Sequence, residues 1–386
     1  MSDSLTPVIL SAVRTPIGKY LGGLSPLPAP RLGALVIREA VRRAGIEDGA
    51  VEEVIMGNVL QGGVGQAPGR QAAIHAGLPG TVPALTINKV CGSGLKAVML
   101  AAQAIRAGDE QCIVAGGMES MSNAPHYVYG MRGGIKAGNS QLVDGMILDG
   151  LWDSFSNTHM GNLAEYTAKK AGVSREDQDR FALASHQKAV AAMEACRFKA
   201  ETVATLIEKD ESPRKDSSLE ALAALKPSFE KDGTVTPGNA PGLNDGASAL
   251  VVTSLAFAKA HGLKPLARVT AYASAGGEPR DLFFAPIAAV KNLMAKAQTS
   301  IGDYDLIEAN EAFAVQALAD GRALGWDWDR VNVNGGAIAL GHPIGASGAR
   351  ILTTLLFALK DRKQTTGLAT LCLGGGNAVA LSVEML

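Results

Sequence analysis

The chain has 386 residues, of which 47% are hydrophobic, and a formal net charge of −1 at pH 7. This length predicts two domains or one duplicated domain, while the balanced charge, the absence of Lys/Arg runs and the lack of long apolar runs argue against nucleic-acid and membrane partners. The N-terminus lacks the features of a targeting peptide, and the four cysteines lack Cys-x-x-Cys spacing, so we expect no metal site and a reduced, cytoplasmic compartment.

In the first part of the chain, short apolar strands alternate with helical segments. The predicted strands cover residues 8–13, 51–57, 83–87 and 111–117, and the predicted helices cover 32–45, 69–76 and 95–106. Such alternation favours an α/β fold, with a largely parallel sheet that is covered on both faces by helices.

From Met118 to about Asp245 this alternation stops. Glycines interrupt the sequence, and helices are predicted only around 163–171 and 175–195. We expect an insertion that covers the core rather than another layer of strands and helices. Its charged segment 209–216 is typical of a solvated loop.

After residue 245 the alternation returns and repeats the pattern of the first part. Strands are predicted at 267–275, 306–310, 368–373 and up to 385. Helices are predicted at 286–298 and 312–324, and another follows segment 341–348 and ends near 360. Each half has an apolar strand, a glycine-containing turn with a reactive side chain, a helix, and a strand that ends in Gly-Gly. The repetition predicts two copies of one α/β unit. Because ligands bind beyond the carboxyl ends of the strands in such sheets, both sets of turns should meet at one crevice.

Cys91 lies in the turn between the predicted strand 83–87 and the helix that follows. Free N–H groups and the positive end of the helix dipole favour a thiolate at such a position. Gly92 and Gly94 are expected to leave room for a substrate to approach the backbone. A buried structural cysteine is an equally common alternative. A dinucleotide-binding turn fits poorly, because the third glycine of its motif is missing.

Three further residues are candidates for the same site, and each has a plainer alternative. His342 is surrounded by small residues from Gly341 to Gly348, which suits a ligand better than packing, although it could be a core histidine. Cys372 precedes three glycines. Ordering three glycines costs backbone entropy, which an ordinary strand end does not require, although Cys372 could be an unreactive core residue. Asn310, at a strand end, could simply cap the following helix.

At six motifs the chain closely resembles the thiolase family, and most closely the biosynthetic thiolases, over essentially its whole length. These motifs lie at 88–94, 116–122, 244–247, 310–314, 341–348 and 372–376. The resemblance implies a thiolase-like fold, with two duplicated βα core halves whose mixed sheets form α-β-α-β-α layers, plus an inserted loop domain. The implied domains are an N-terminal half at 1–118 that closes at about 246–265, the insertion at 119–245, and a C-terminal half at 266–386.

The resemblance also implies a reaction, an acetyl-CoA C-acetyltransferase activity that joins two acetyl-CoA into acetoacetyl-CoA and CoA. Cys91 resembles the nucleophile that takes the acyl group, and His342 the base that activates it by lowering the thiol pKa. Cys372 resembles the acid/base that removes the α-proton of the second substrate. One oxyanion hole is implied at His342 and a water held by Asn310, and another at the backbone N–H groups of Cys91 and Gly374.

Further substrate contacts are implied in and around the insertion. The residues that resemble contacts to CoA or the acyl group are His159, Met160, Arg214, Phe229, Leu243 and Phe313. The pair His159-Met160 favours short acyl chains, and Arg214 should lie along the adenine end of CoA. CoA thioesters are the implied substrates, with no metal or redox cofactor. Homo-oligomers are also implied, with segment 141–148 resembling a projecting loop that pairs dimers into tetramers.

The chain departs from the family pattern at several positions. Ala378 adds a methyl group where a glycine is common, and Pro241 and Ala221 replace serines near the CoA arm. Segment 282–285 replaces a Met-Gly-x-Gly stretch near the pocket.

Three alternative functions follow from the resemblance and its departures. A degradative 3-ketoacyl-CoA thiolase would differ only in its acyl range. A decarboxylating condensing enzyme lacks a second catalytic cysteine, so Cys372 argues against it. An inactive thiolase-like CoA-binding protein would explain Ala378 and Pro241.

Overall fold

A computed structural model describes residues 3–386 of the chain, which form alternating strands and helices around one large mixed sheet. The strands are β1 Pro7–Arg14, β2 Gly18–Lys19, β3 Glu53–Gly57, β4 Ala84–Ile87, β5 Cys112–Ser120, β6 His126–Tyr127, β7 Val143–Asp144, β8 Trp152–Asp153, β9 Thr158–His159, β10 Asn244–Ser254, β11 Ala267–Gly276, β12 Leu306–Ala309, β13 Thr366–Leu373 and β14 Asn377–Met385. The helices are α1 Ala29–Ala44, α2 Pro68–His75, α3 Ser93–Ala107, α4 Met160–Ala171, α5 Arg175–Glu194, α6 Leu219–Ala223, α7 Leu255–Ala260, α8 Ala285–Ala297, α9 Ala314–Leu324, α10 Ala337–Leu340 and α11 Ile344–Arg362.

The strand order reveals the duplication that the sequence predicted. The first half runs β1-β10-β5-β3-β4 and the second runs β11-β14-β13-β12. In each half the first two pairings are antiparallel and the next is parallel. Hydrogen bonding between β1 and β11, at Val8↔Arg268 and Ile9↔Ala267, joins the halves edge to edge. The mixed, duplicated α/β architecture is therefore confirmed. The largely parallel sheet that the alternation favoured is wrong, because most pairings in the large sheet are antiparallel.

Alternating side chains on the strands build the layers of the fold. On β5, Ile113 and Ala115 belong to a core shared by both halves, whereas Cys112 and Val114 belong to an outer core with α1 and α2. Helices α3 and α11 fill the shared core, and α8 covers the outer face of the second half. Because strand side chains alternate between faces, each half-sheet packs against helices on both sides, which gives the predicted α-β-α-β-α layers.

The segment between β5 and β10 contains two small hairpins, β6–β7 and β8–β9, together with helices α4 to α6. It adds no strand to the large sheet, as expected of an insertion. Its charged segment 209–216 is a loop but is not simply solvated. Asp210 is buried and lies 2.7 Å from the guanidinium of Arg14, which also pairs with Glu201. This buried ion pair fixes the loop against β1.

No helix within residues 3–386 is long and apolar enough to cross a membrane.

Candidate active site

Cys91 sits in a tight turn between β4 and α3 that neighbouring polar side chains hold in place. Oδ1 of Asn88 accepts from the N–H of Val90 at 2.9 Å, and Oγ of Ser93 accepts from Lys89 N at 2.9 Å. Val90 has a φ of 46°, a left-handed conformation that is unusual for a β-branched residue and typical of functional sites. The turn thus places Cys91 just before the helix, with its side chain partly exposed.

Two glycines allow α3 and α11 to cross near their starts. A Cβ at Gly94 would stand 2.7 Å from the backbone N of Ala349, and a Cβ at Gly348 would collide with the backbone of Leu95. A Cβ at Gly92 would collide with Leu373. The expectation that Gly92 and Gly94 leave room for a substrate is therefore wrong, because packing of the other half of the protein fills that room.

His342 lies between α10 and α11 and is held through both its ring and its backbone. Its Nδ1 is 2.6 Å from Oγ of Ser347, which donates to the carbonyl of Pro343 at 2.9 Å. Its backbone N–H donates to Oδ1 of Asn244 at 2.9 Å. The Ser347 hydroxyl proton is committed to Pro343, so Nδ1 of His342 carries the proton and Nε2 presents its lone pair.

The small residues around His342 also serve packing rather than a ligand. A Cβ at Gly341 would stand 2.5 Å from the side chain of Asn244, and one at Gly345 would stand 2.8 Å from the carboxylate of Glu119. The sequence predicted ligand approach at these positions, and that expectation is wrong.

Asn310 and Cys372 lie at the ends of the two parallel strands β12 and β13, and Cys372 lines the same cavity as His342. Nδ2 of Asn310 is 3.5 Å from Nε2 of His342, and the backbone N–H of Asn310 donates to Thr370 O at 3.0 Å. Asn310 does not cap α9, whose N-cap is Phe313. Cys372, the penultimate residue of β13, is 1% exposed. After it, Gly375 and Gly376 take positive φ angles to form the turn into β14.

Most of the predicted site residues line one apolar cavity of about 290 Å³. Predicted residues in the lining are Cys91, His159, Met160, Phe229, Leu243, Phe313, His342, Cys372 and Gly374. Reactive groups from both halves thus meet at the carboxyl ends of the strands, as the duplication predicted. Asn310 is outside the lining but contacts it through His342.

Aromatic rings form one wall of this cavity. His159 stacks on Phe229 with 4.8 Å between ring centroids, and Phe229 meets Phe313 edge-on at 6.5 Å. Gly161 permits this stack, because a Cβ there would collide with the ring of Phe229. Nδ1 of His159 accepts from the N–H of Gly161 at 3.0 Å, which fixes the His159 ring as the cap of α4. Burial lowers the pKa of His159, so a neutral ring lines the cavity.

Arg214 is the one predicted site residue that lies apart from this cavity. Its side chain is exposed, and its backbone N–H donates to Nδ1 of His186 at 3.2 Å. Its proposed contact with the adenine end of CoA therefore stays a prediction.

Burial dominates the electrostatics of the three reactive side chains. It raises the pKa of the Cys91 thiol to about 12, although hydrogen bonds from the backbone N–H groups of Cys91 and Gly374 oppose the shift. It lowers the pKa of His342 to about 3, helped by the charge of Arg350, and raises the pKa of Cys372 well above its ordinary value. The sequence predicted a lowered thiol pKa. Burial acts in the opposite direction in this structure, because it disfavours both charged forms and favours a neutral thiol and a neutral imidazole.

Glu119 is a buried residue of the site that the sequence analysis did not single out. Its carboxylate accepts from Nδ2 of Asn58 at 2.7 Å, from the N–H groups of Val59 and Leu60 at 3.1 and 3.0 Å, and from the N–H of Gly345 at 2.8 Å. It therefore links the loop after β3 to the loop that carries His342. An acidic residue within an otherwise apolar buried strand was the available signal, since such a charge is buried only when it is well bonded.

Part of the cavity wall comes from a segment to which the sequence analysis gave another role. Met146 and Ile147 line the cavity, and Met146 is buried. They belong to segment 141–148, which was expected to project. Exposed apolar side chains in this region lie before the segment, at Tyr129 and Met131, and within it, at Leu142.

The departures from the family pattern fall in different environments. Ala378 is completely buried in β14, where its methyl group packs within the outer core of the second half. Pro241 lines the cavity and Ala221 is exposed on α6. Leu282 and Phe283 both line the cavity, which places this replaced stretch next to the reactive groups.

Within the described residues, no group of three or more His, Cys, Asp or Glu side chains is arranged to hold a metal ion.

Comparisons with known proteins agree with this architecture. Profiles described as "Thiolase, N-terminal domain" and "Thiolase, C-terminal domain" match residues 7–256 and 263–385. The chain belongs to the thiolase family. It is 55% identical to the acetyl-CoA acetyltransferase of Pseudomonas aeruginosa, over 97% of this chain and 98% of that protein. It is also 55% identical to the enzyme of the same name from Cupriavidus necator, over 98% of each chain.

A solved structure gives the same result in three dimensions. The crystal structure of the Bacillus anthracis acetyl-CoA acetyltransferase superposes with a TM-score of 0.97 at 42% identity, over 99% of each chain. The likeness therefore extends through both halves and the insertion.

Proposed function

We propose that the protein is an acetyl-CoA C-acetyltransferase that reversibly condenses two acetyl-CoA into acetoacetyl-CoA and free CoA through an acetyl-cysteine intermediate. One observation carries the proposal: two cysteines and a histidine from both halves line the same apolar cavity. The names of the relatives that are 55% identical over nearly their whole length support it.

In the first half-reaction, Cys91 attacks the thioester carbonyl of acetyl-CoA. Nε2 of His342 takes the thiol proton as the C–S bond forms, so no free thiolate is needed in a site that disfavours it. The N–H groups of Cys91 and Gly374 stabilise the oxyanion. When the intermediate collapses, the CoA thiolate leaves and takes a proton from the Cys372 thiol.

The second half-reaction uses the Cys372 thiolate and the protonated His342 that the first half-reaction produces. The Cys372 thiolate removes the α-proton of the second acetyl-CoA, and its raised pKa makes it a strong base. His342, now protonated at Nε2, donates to the enolate oxygen together with a water held by the side chain of Asn310, which lies 3.5 Å from Nε2 of His342. The enolate carbon attacks the acetyl group on Cys91, and the displaced Cys91 thiolate recovers its proton from His342. At the end of the cycle, Cys91, His342 and Cys372 have recovered their initial protonation states.

This scheme requires no metal or redox cofactor, because the thioester itself activates the substrate. The adenine end of CoA is expected near Arg214, whose exposed side chain is available for an anionic group. Replacement of Arg214 by Ala should raise KM for acetyl-CoA while leaving kcat nearly unchanged. A KM equal to that of the wild type would contradict the proposed contact between Arg214 and CoA.

Mass spectrometry after incubation with acetyl-CoA tests the covalent step. Cys91 should gain about 42 Da, the mass of an acetyl group. Cys91→Ala should show no adduct, whereas Cys196→Ala, which removes an exposed cysteine, should react like the wild type. An absent adduct in the wild type would favour an inactive CoA-binding protein.

Thiolysis of 3-ketoacyl-CoA substrates of increasing length separates the biosynthetic from the degradative function. Acetoacetyl-CoA should be cleaved fastest. Faster cleavage of medium and long chains would identify a degradative 3-ketoacyl-CoA thiolase instead.

We also propose a homo-oligomer, a dimer or a tetramer, in the cytoplasm. Strand β4 lies at the sheet edge with Leu85 44% exposed, and Tyr129, Met131 and Leu142 present apolar surface from the insertion. Analytical ultracentrifugation at micromolar concentration tests the assembly. A lone dimer would contradict the tetramer, and a monomer would contradict both. Cell fractionation tests the location.

A further inference from the structure

The cavity has an exposed mouth and a buried end. At the mouth, Ile147 is 37% exposed and Gly242 is also exposed. At the other end, Leu282 and Phe283 are 1% and 2% exposed. Both belong to a short 3₁₀ segment, Pro279–Phe284, that precedes α8. Because the exposed and the buried residues line one cavity, we expect an acyl chain that enters at the exposed side to end against this buried segment.

Phe283 is held rigidly at that buried end. Its ring meets Phe313 edge-on, with 5.3 Å between centroids and an interplanar angle of 73°. It belongs to the same apolar cluster as Cys372 and Ala312. An aromatic ring fixed by such a contact and by close packing cannot move aside at low cost.

The neighbouring Phe284 faces a different environment. It is only partly buried and is absent from the cavity lining, and the ammonium of Lys170 lies 5.3 Å from its ring centroid. The two adjacent phenylalanines therefore form a natural pair, one inside the cavity and one outside.

We propose that Phe283 sets the upper limit on acyl length, by closing the cavity so that acetoacetyl-CoA fits and longer 3-ketoacyl chains do not. The inference rests on the proposed thiolase activity and identifies the residue that selects its substrate. Each additional methylene group would have to displace the Phe283–Phe313 pair from its packed position. Phe283 is thus a specificity-determining residue and not a catalytic one.

The test compares thiolysis of acetoacetyl-CoA and 3-ketohexanoyl-CoA by the wild type, Phe283→Ala and Phe283→Leu. The measured quantity is the ratio of kcat/KM for the longer substrate to that for the shorter one. Because one or two methylene groups change discrimination by about tenfold or more, the ratio should rise at least about tenfold in Phe283→Ala and by less in Phe283→Leu. Phe284→Ala removes the same ring outside the cavity and should change the ratio by less than about twofold.

A second readout keeps the proposal testable if Phe283→Ala folds poorly or turns over slowly. After incubation with butyryl-CoA, Phe283→Leu should acquire an adduct of about 70 Da on Cys91 that the wild type acquires much more slowly. The proposal is overturned if folded Phe283 variants keep the wild-type ratio and adduct rates, or if the wild type cleaves both substrates equally well. A wild type that neither cleaves acetoacetyl-CoA nor forms an acetyl adduct would instead refute the proposed function itself.

Discussion

Nδ1 of His342 lies 2.6 Å from Oγ of Ser347, and the Ser347 hydroxyl donates a hydrogen bond to the carbonyl of Pro343. These two hydrogen bonds determine which imidazole nitrogen of His342 faces the cavity with a free lone pair. Since burial holds the pKa of His342 at about 3, the ring remains neutral at physiological pH and depends on this contact, not on charge, for its orientation.

Replacement of Ser347 by Ala should therefore impair catalysis more than binding. Nδ1 loses its acceptor, so the competing tautomer, with the proton on Nε2, becomes populated. We expect kcat to fall by about 10- to 100-fold, the usual effect of removing a partner that orients a functional histidine, with KM little changed. Ser218→Ala, which removes a helix cap outside the cavity, is the matched control. An unchanged kcat would show that the ring is oriented by other contacts.

Glu119→Gln should weaken the link between the loop after β3 and the start of α11, next to His342. The carboxylate accepts four hydrogen bonds, whereas a glutamine turns an NH₂ group toward one of the donors. A buried donor left unpaired should cost about 1–3 kcal/mol of unfolding free energy. We expect acetylation of Cys91 to slow as well, because Gly345 and the His342 loop lose their anchor.

Thermal unfolding and the rate of acetyl transfer measure both effects. Glu52→Gln is a useful control, since Glu52 also accepts from backbone N–H groups but lies outside the cavity. Equal stability and equal rates in Glu119→Gln and the wild type would contradict the anchoring role.

Gly94→Ala should separate the two central helices. The added methyl group would stand 2.7 Å from the backbone N of Ala349, where no side chain can rotate away. Overpacking of this kind costs about 1–3 kcal/mol, and the shift should also move Cys91 away from His342. Gly49→Ala, with nothing within 4 Å of the new atom, should be neutral. The melting temperature and acetylation rate of both variants provide the test.

Periodicity and repetition were sufficient to predict the duplicated halves and most helices, because those signals depend on local patterns. They did not identify β10 as a strand. This strand, Asn244–Ser254, begins with Asn-Asp-Gly, which is typical of a turn, and only tertiary packing draws these residues into the buried sheet. The pairing of β1 with β11 was also hidden, since register depends on the packed tertiary structure.

At the site, sequence identified reactive residue types but misjudged their surroundings. Gly94 and Gly345 were expected to leave room for a ligand. The space beside their Cα atoms is instead filled by Ala349 and Glu119, which are distant in sequence. The thiol pKa was expected to fall because the local helix start is visible in the sequence. The burial that raises it comes from residues that are distant in sequence, including Met146 and Ile344.

Glu308→Gln should change how stability depends on pH. Glu308 is 1% exposed on β12, with the Arg350 guanidinium 3.7 Å away, and burial raises its pKa to about 8 despite the attraction of Arg350. The folded protein therefore keeps a proton on Glu308 in the range from about 4.5 to 8, where the unfolded chain has lost it. Because the folded state binds more protons there, stability should fall as the pH rises through this range.

Glutamine cannot ionise, so Glu308→Gln should lack this part of the slope, whatever its stability at any single pH. Urea unfolding at several pH values, for the wild type and the variant, measures the difference in slope. Glu384→Gln, at a partly exposed ion pair with Arg268, should keep the wild-type slope. Parallel curves for the wild type and Glu308→Gln would mean that Glu308 is already ionised in the folded protein, and that Arg350 compensates its burial fully.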